Sequence, residues 1–380
     1  MAMIVRAAAG YDGIRAGFPI LLNDRMQIIE PAFAFLLQQG NLGAQSAETL
    51  RTYGEHLYDW FDALEQSSLD WRGVDEGTIA AYRNRMLQGP SAHTGRPYAR
   101  ATINDRVRTV CRFYAWAHRR RLIDELPFTF RDAPAVHASA RGFLAHVGSG
   151  PAKINTLTIA EQEVLPRPLR VTELRKVMAE LGIPYRLLAE WAVTTGLRRM
   201  ELCALTVQQI PAVGPHDQAE PLIGMTLTTT KGGRRRTVYP PLRLLDRTHW
   251  YIGEERAALV GRIQRGRADY RPPPALFLNR DGRPITRARL SAALAAGFAA
   301  AGLDGSCHWL RHTFAMAMLV RLQAQTSTKP DINPLKVLQI LLGHASIQTT
   351  SVYLRCLELH GAEVAESIAY LYGDLVGDAA

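Results

Sequence analysis

The sequence predicts a mainly α-helical protein with a small β-sheet, arranged in two domains. Three observations point there. Apolar residues recur at three-to-four spacing along most of the 380 residues, the period of a helix with one buried face. One stretch, "IGMTLTTTKGGRRRTVYP", instead alternates and turns at Gly232-Gly233, as a β-hairpin does. Between residues 131 and 164 the regularity fades: "DAPAVHASARGFLAHVGSGPAKIN" brings Pro, Gly, Ser and Ala without periodic apolars. That stretch reads as a long linker. With 47% apolar residues two cores can be filled, and this length favours two domains over one.

In chain order, residues 1–30 read as an N-terminal extension, in which "GFPILLND" suits a strand running into a turn at Asn23-Asp24. A helical domain spans 31–130. "SAETLRTYGEHLYDWFDAL" opens with Ser46 as N-cap and carries Leu50, Tyr53, Leu57, Trp60, Phe61 and Leu64 on one face. "DEGTIAAYRNRML" is a second helix and "GPSAHTGRPYA" a loop. "RATINDRVRTVCRFYAWAHRRRLI" is a third helix, with Ile103, Val107, Val110, Phe113, Tyr114 and Ala117 aligned. After the linker (131–164) a second domain covers 165–360. "TELRKVMAELG" is a helix capped by Thr172 and ended by Gly182. Two more flank Gly196, and the hairpin follows. "RLSAALAAGFAAAG", "CHWLRHTFAMAMLVRLQ", "NPLKVLQILLGH" and "SIQTTSVYLRCLEL" are helices. Residues 361–380 end the chain as an amphipathic helix and tail. Val364, Ile368, Leu371, Leu375 and Val376 share a face there, suited to docking on a neighbouring copy or on its own domain.

Charge narrows the function. The net formal charge is +10, and nearly all of the surplus is arginine, since lysine occurs only at 153, 176, 231, 329 and 336. A basic surplus favours a polyanionic partner. It is clustered: residues 96–121 hold eight arginines against one aspartate, and "KGGRRR" sets four cations at the hairpin tip. Arg100, Arg106, Arg108, Arg234, Arg235 and Arg236 are therefore expected to meet phosphate backbone; the bland alternative is a solvated helix face and a charged turn. The four cysteines, Cys111, Cys203, Cys307 and Cys356, form no C-x-x-C pair. This argues against a zinc ribbon and a disulfide framework. Arg6, Asp12 and Arg15 break the N-terminal apolar runs, so a secretory core is not expected. No apolar run reaches membrane-spanning length. A cytoplasmic protein is expected.

Four motifs of the second half belong together. "TTGLRRMEL" sets Arg198 after a helix break. "TKGGRRRTVYP" sets Lys231 on the hairpin. "HWLRH" holds His308, Arg311 and His312, and "LGHASIQTTSVY" holds His344 and Tyr353. His308 and Arg311 are three apart and project from one helix face. Two arginines, a lysine, two histidines and a tyrosine make a phosphodiester site. Arginine forks match non-bridging phosphate oxygens and stabilise a pentavalent transition state. Lysine or histidine can protonate a leaving oxygen, and tyrosine can attack to form a covalent intermediate. With the cations built into the protein, no metal or other cofactor is needed.

In this order the motifs resemble those of the tyrosine recombinase (phage integrase) family. That family has an arginine in a "TGLR..EL" box, a lysine on a β-hairpin, an "H.LRH" box, and "LGH" followed nine residues later by a nucleophilic tyrosine. The resemblance covers about 165–360 by motif and extends loosely to 46–120. It implies a helical core-binding domain plus a mixed α+β catalytic domain, closing as a clamp on double-stranded DNA. Carried over, Arg198 and Arg311 clamp the scissile phosphate. His308 hydrogen-bonds it and assists proton transfer. Lys231 protonates the departing 5′ oxygen. His344 positions a phosphate oxygen or the tyrosine, and Tyr353 attacks to give a 3′-phosphotyrosyl bond. Glu201 matches a family acidic position that braces the arginine and lysine. Recombination of two sites implies a tetramer on DNA, with an accessory recombinase or directionality factor as a further partner. "GFPILLND" and the long linker point toward a mobile-element enzyme.

Each residue also has a plainer reading. Tyr353 alone is a packing tyrosine and His344 a helix-end histidine; the ordered set outweighs both. His312 supports the site or core rather than phosphate. Arg199 adjoins the clamp position without occupying it. Arg234, Arg235 and Arg236 are backbone contacts or solvated charge, not catalysts. Tyr370 and Tyr372 lie too far past His344 and read as packing. A metal hydrolase using His308, His312 and His344 is one rival, but "HWLRH" lacks the glutamate of "HExxH" and Arg311 would repel the ion. A catalytically silent DNA-binding protein of the same fold is the main alternative. A type IB topoisomerase shares the chemistry.

Overall fold

The computed structural model describes residues 2–8, 14–41, 46–91, 95–132, 153–161, 165–214, 223–230, 235–326 and 333–360. The C-terminal helix expected at 361–380, with Tyr370 and Tyr372, lies outside them, as do Lys231, Arg234 and most of the expected linker. The chain divides into two compact units, Met1–Glu163 and Val164–Ala380.

The first unit opens with a hairpin in which β1 (Met3–Arg6) pairs antiparallel with β2 (Pro19–Leu22), Ile4 opposite Leu21. Helices α1 (Glu30–Asn41), α2 (Ala47–Gln66), α3 (Glu76–Gln88) and α4 (Arg100–Arg119) follow. The hairpin is no loose extension. Phe18 and Leu21 are buried in the same core as Phe35, Trp60 and Phe113. Gly54 of α2 lets it approach, since a Cβ there would lie 2.6 Å from Pro19 Cβ. Ser46 caps α2 as expected, accepting from the Thr49 N–H at 3.1 Å. The stretch read as linker also carries structure at both ends: β3 (Phe130–Asp132) pairs with β4 (Lys153–Asn155). Beyond β4 the chain lies along α4, where the buried Asn104 amide bonds Ile159 O and N at 2.9 and 3.0 Å. A buried polar side chain is costly unless paired, and these two bonds pair it.

The second unit contains α5 (Val171–Glu180), α6 (Tyr185–Thr195), the short α7 (Arg199–Cys203), and a hairpin of β5 (Met225–Leu227) and β6 (Arg236–Val238). Next come α8 (Leu242–Tyr251), a π-helical turn, α9 (Ala257–Gly266) and α10 (Arg287–Ala300). The last three helices are α11 (Cys307–Thr326), α12 (Pro334–Leu342) and α13 (Gln348–His360). The expected cap of α5 moves: Arg170, not Thr172, stands at the N-cap, its N–H donating to Glu173 at 2.9 Å, so the helix begins two residues earlier, at Val171. The hairpin pairs Met225 with Val238 and Leu227 with Arg236. One core gathers Leu187, Trp191, Leu290, Leu294, Phe298 and Leu310. A second, smaller one holds Phe314, Leu319, Leu338, Leu342, Tyr353 and Cys356. The molecule is thus mainly helical with small two-stranded sheets. Among the described residues no helix is long and apolar enough to cross a membrane.

Candidate active site

The site begins where α6 stops. Gly196 ends that helix in the left-handed region at φ 64°, which suits glycine. Arg198 then stands at the N-cap of α7, and Glu201 closes the turn by accepting the Arg198 N–H at 2.7 Å. The Glu201 side chain is 0% exposed and pairs with Arg198 Nη1 at 3.0 Å. Arg198 Nη2 reaches Gly343 O at 3.1 Å.

Arg311 comes from α11 and is only 2% exposed. Its guanidinium donates to Gly196 O, to Leu342 O at 2.7 Å, and to His344 Nε2 at 3.1 Å. It therefore ties the break after α6 to the break after α12. That second break is Gly343, also left-handed at φ 62°. His344 Nε2 accepts from an arginine, so its Nδ1 carries the proton and donates to Thr350 Oγ1 at 2.9 Å. Burial, then Arg311 and Arg198, push the His344 pKa down to about 3. The ring is neutral at neutral pH.

Tyr353, on α13, is 2% exposed. Its Oη lies 3.0 Å from His312 Nδ1. Burial raises its pKa, while Arg311 and Arg198 pull the other way. His308 is open to solvent on one side and sets its ring edge-on to His312, with centroids 4.5 Å apart. Desolvation on the packed side lowers its pKa, helped by Arg311 and Arg198. Arg198, Arg311, His344 and Tyr353 are thus drawn together, with His308 and His312 alongside. Lys231 lies outside the described residues.

The expected phosphate contacts divide. Arg100 is exposed and bonds Ala160 O at 3.0 Å. Arg108 is exposed and pairs with Asp105 and Glu161. Arg235 is exposed beside the site, lining with Lys336 and His344 a groove of about 830 Å³. Two expectations need correction. Arg106 turns inward: its side chain is 14% exposed, paired with Asp59 at 2.6 Å and set over the Tyr98 ring. Arg236 is neither a backbone contact nor solvated charge. Its side chain is 8% exposed, Nη2 meets Glu201 Oε2 at 2.6 Å, and Nη1 donates to Leu341 O. The strand period offered a signal. Val238 is buried, and a residue two positions away shares its face. Lys336 also lines the groove, a place the sequence does not signal because one exposed lysine on a helix carries no pattern.

Charge in this cluster is unbalanced. Arg198, Arg236 and Arg311 surround the single Glu201 carboxylate. Burial alone would raise the Glu201 pKa, but Arg236 and Arg198 hold it below the usual carboxylate range. Arg311 is pushed down to about 9 by burial and by Arg198 and Arg236, and stays charged at neutral pH. Among the described residues no three His, Cys, Asp or Glu side chains gather to hold a metal ion.

The histidines predict a pH effect. His56 of the first unit and His312 of the second are held at about 4, mainly by burial, and His344 at about 3. Each folded value lies below the ordinary 6.5, so acid protonates the unfolded chain first. Stability is full above that ordinary value and falls as pH drops toward 4. The urea midpoint is expected to be lower at pH 5 than at pH 7.5; an unchanged midpoint would mean these rings titrate normally.

The Phage integrase family profile matches residues 167–360. Tyrosine recombinase XerC of Halalkalibacterium halodurans is 26% identical over 323 residues, covering 84% of this chain and 90% of that protein. Tyrosine recombinase XerD of Lacticaseibacillus casei is 30% identical over 216 residues, covering 55% of this chain and 64% of that one. Among solved structures, a XerH site-specific recombinase bound to palindromic difH substrate in a post-cleavage complex superposes with TM-score 0.52. Its identity is 17%, over 85% of this chain and 80% of that one, a likeness of fold.

Proposed function

This chain belongs to the phage integrase family, and on that premise we propose that it is a site-specific DNA recombinase working through a phosphotyrosyl bond at Tyr353. The observation that carries the reading is the cluster of three guanidiniums around one buried carboxylate, beside that tyrosine. A site with surplus buried cations favours an anion with several oxygens, and a phosphodiester is one.

In this reading Arg198 and Arg311 hold the non-bridging oxygens and stabilise the charge that grows in the transition state. His308 hydrogen-bonds the phosphate from the open side, and His344 orients Arg311 against it. Tyr353 Oη attacks phosphorus, and the bond to the 5′ oxygen breaks as Lys231 protonates that oxygen. The ester retains the bond energy, so a 5′-hydroxyl from another strand reverses the step. The scheme needs neither metal nor ATP, because its cations are side chains.

Double-stranded DNA is the partner. Arg100 and Arg108 of the first unit and Arg235 of the second are exposed and can meet its backbone, and Lys231 and Arg234 are expected to do the same. Two sites, each cut twice, call for four protomers. The names of the relatives support this class of activity.

The test is covalent capture. Cells carrying the native flanking DNA are lysed in SDS, and the DNA that stays attached to the protein is sequenced. Attachment to wild type but not to Tyr353→Phe is expected. Equal attachment to both would remove Tyr353 as nucleophile. No attachment to either, even on a nicked trapping duplex, would leave a silent DNA-binding protein.

A further inference from the structure

Attack by Tyr353 releases a phenolic proton, and some group must take it. The geometry singles out a residue that the scheme above leaves idle. We propose that His312 is the general base of strand cleavage, its Nδ1 accepting the Tyr353 proton as Oη bonds to phosphorus. The inference rests on Tyr353 being the nucleophile.

Contact comes first. His312 Nδ1 and Tyr353 Oη are 3.0 Å apart, within reach for direct proton transfer. The phenol is almost fully buried, so its O–H needs a protein acceptor, and the Nδ1 lone pair supplies one. The alternatives are engaged elsewhere. His344 has Arg311 on one nitrogen and Thr350 on the other. The His308 ring packs edge-on against His312 from one turn earlier on the same helix.

The surroundings keep His312 able to accept. From its own helix, α11, it faces His308 and Arg311. From α13 it faces Tyr353, on which Arg311, Cys356 and Arg198 act through their charge. Burial, His308 and Arg311 keep the ring neutral, with a free lone pair. A bound phosphodiester adds negative charge beside Arg311, which strengthens the base when it is needed. The balance closes: the Oη–P bond forms, the P–O5′ bond breaks, the phenolic proton ends on His312, and the 5′ oxygen takes its proton from Lys231. On reversal His312 returns the proton to Oη.

The probe is the duplex recovered by covalent capture, nicked so that the cleaved fragment diffuses away. Adduct formation is followed in single turnover from pH 6 to 9 for wild type, His312→Asn, His312→Gln and Tyr353→Phe. Wild type is expected to be nearly flat. The His312 variants are expected to fall about 100-fold or more at pH 7 and to regain roughly tenfold per pH unit as hydroxide replaces the base. DNA affinity and the urea midpoint serve as folding controls. The proposal is overturned by variants slowed by one constant factor at every pH, which marks a holding role, or by variants as fast as wild type. An adduct with Tyr353→Phe would instead strike the nucleophile assignment itself.

Discussion

Arg236→Ala is expected to reduce strand cleavage at saturating DNA by about 100-fold or more, although Arg236 is not assigned to the phosphate. Its fork holds both oxygens of Glu201, and a third bond reaches Leu341 O next to the Gly343–His344 break. Without it, Glu201 keeps only Arg198, and the segment carrying His344 loses its tie to β6. Breaking a buried ion pair from one side costs about 3–5 kcal/mol, so the urea midpoint should fall as well. Arg236→Lys keeps the charge but not the fork, and should recover stability better than rate. The salt dependence of DNA binding separates this role from a backbone contact. A side chain this buried should leave the slope unchanged. A phosphate contact would lower the slope by about 0.9 and leave cleavage at saturating DNA near normal.

Gly196→Ala is expected to cost about 2–5 kcal/mol of stability and most of the activity. Two costs combine. The residue sits at φ 64°, where a Cβ is strained, and that Cβ would lie 2.5 Å from Phe314 Cδ1 and 3.1 Å from Leu342 Cδ2. The displaced segment carries the carbonyl that Arg311 grips and, two residues on, Arg198 itself. Gly302→Ala is the matched control. It too is left-handed, at φ 74°, but with nothing within 4 Å of a new Cβ. It should show the backbone cost alone, about 1–2 kcal/mol. Equal urea midpoints for the two variants would refute the packing argument.

The helices were legible because their causes are local. Ser46 caps α2 through the Thr49 N–H three residues on. Asn333 and Pro334 start α12 in the same short-range way. The hairpin at the N-terminus and the pairing of β3 with β4 were not legible as such. Their short strands carry little periodic signal, and β4 pairs across the 133–152 stretch. The cap of α5 is not settled by residue type, because Thr172 and Arg170 both stand before an apolar run and only the reach of Glu173 decides between them.

By itself the sequence determined the order of the chemistry: the glycine breaks at 196 and 343, the arginines and histidines that follow them, and the tyrosine nine residues past His344. A break, a cap or a helix face depends on neighbours within a turn or two, so residue type and spacing suffice. Tertiary structure alone decided which way several charged and titratable groups turn. Arg106 and Arg236 look alike in the sequence to their exposed neighbours Arg108 and Arg235, yet each turns inward to a carboxylate, Asp59 or Glu201. His312 gained its partner because α11 packs on α13. Those assignments turn on burial and on contacts between residues far apart in the chain, where desolvation makes pairing decisive.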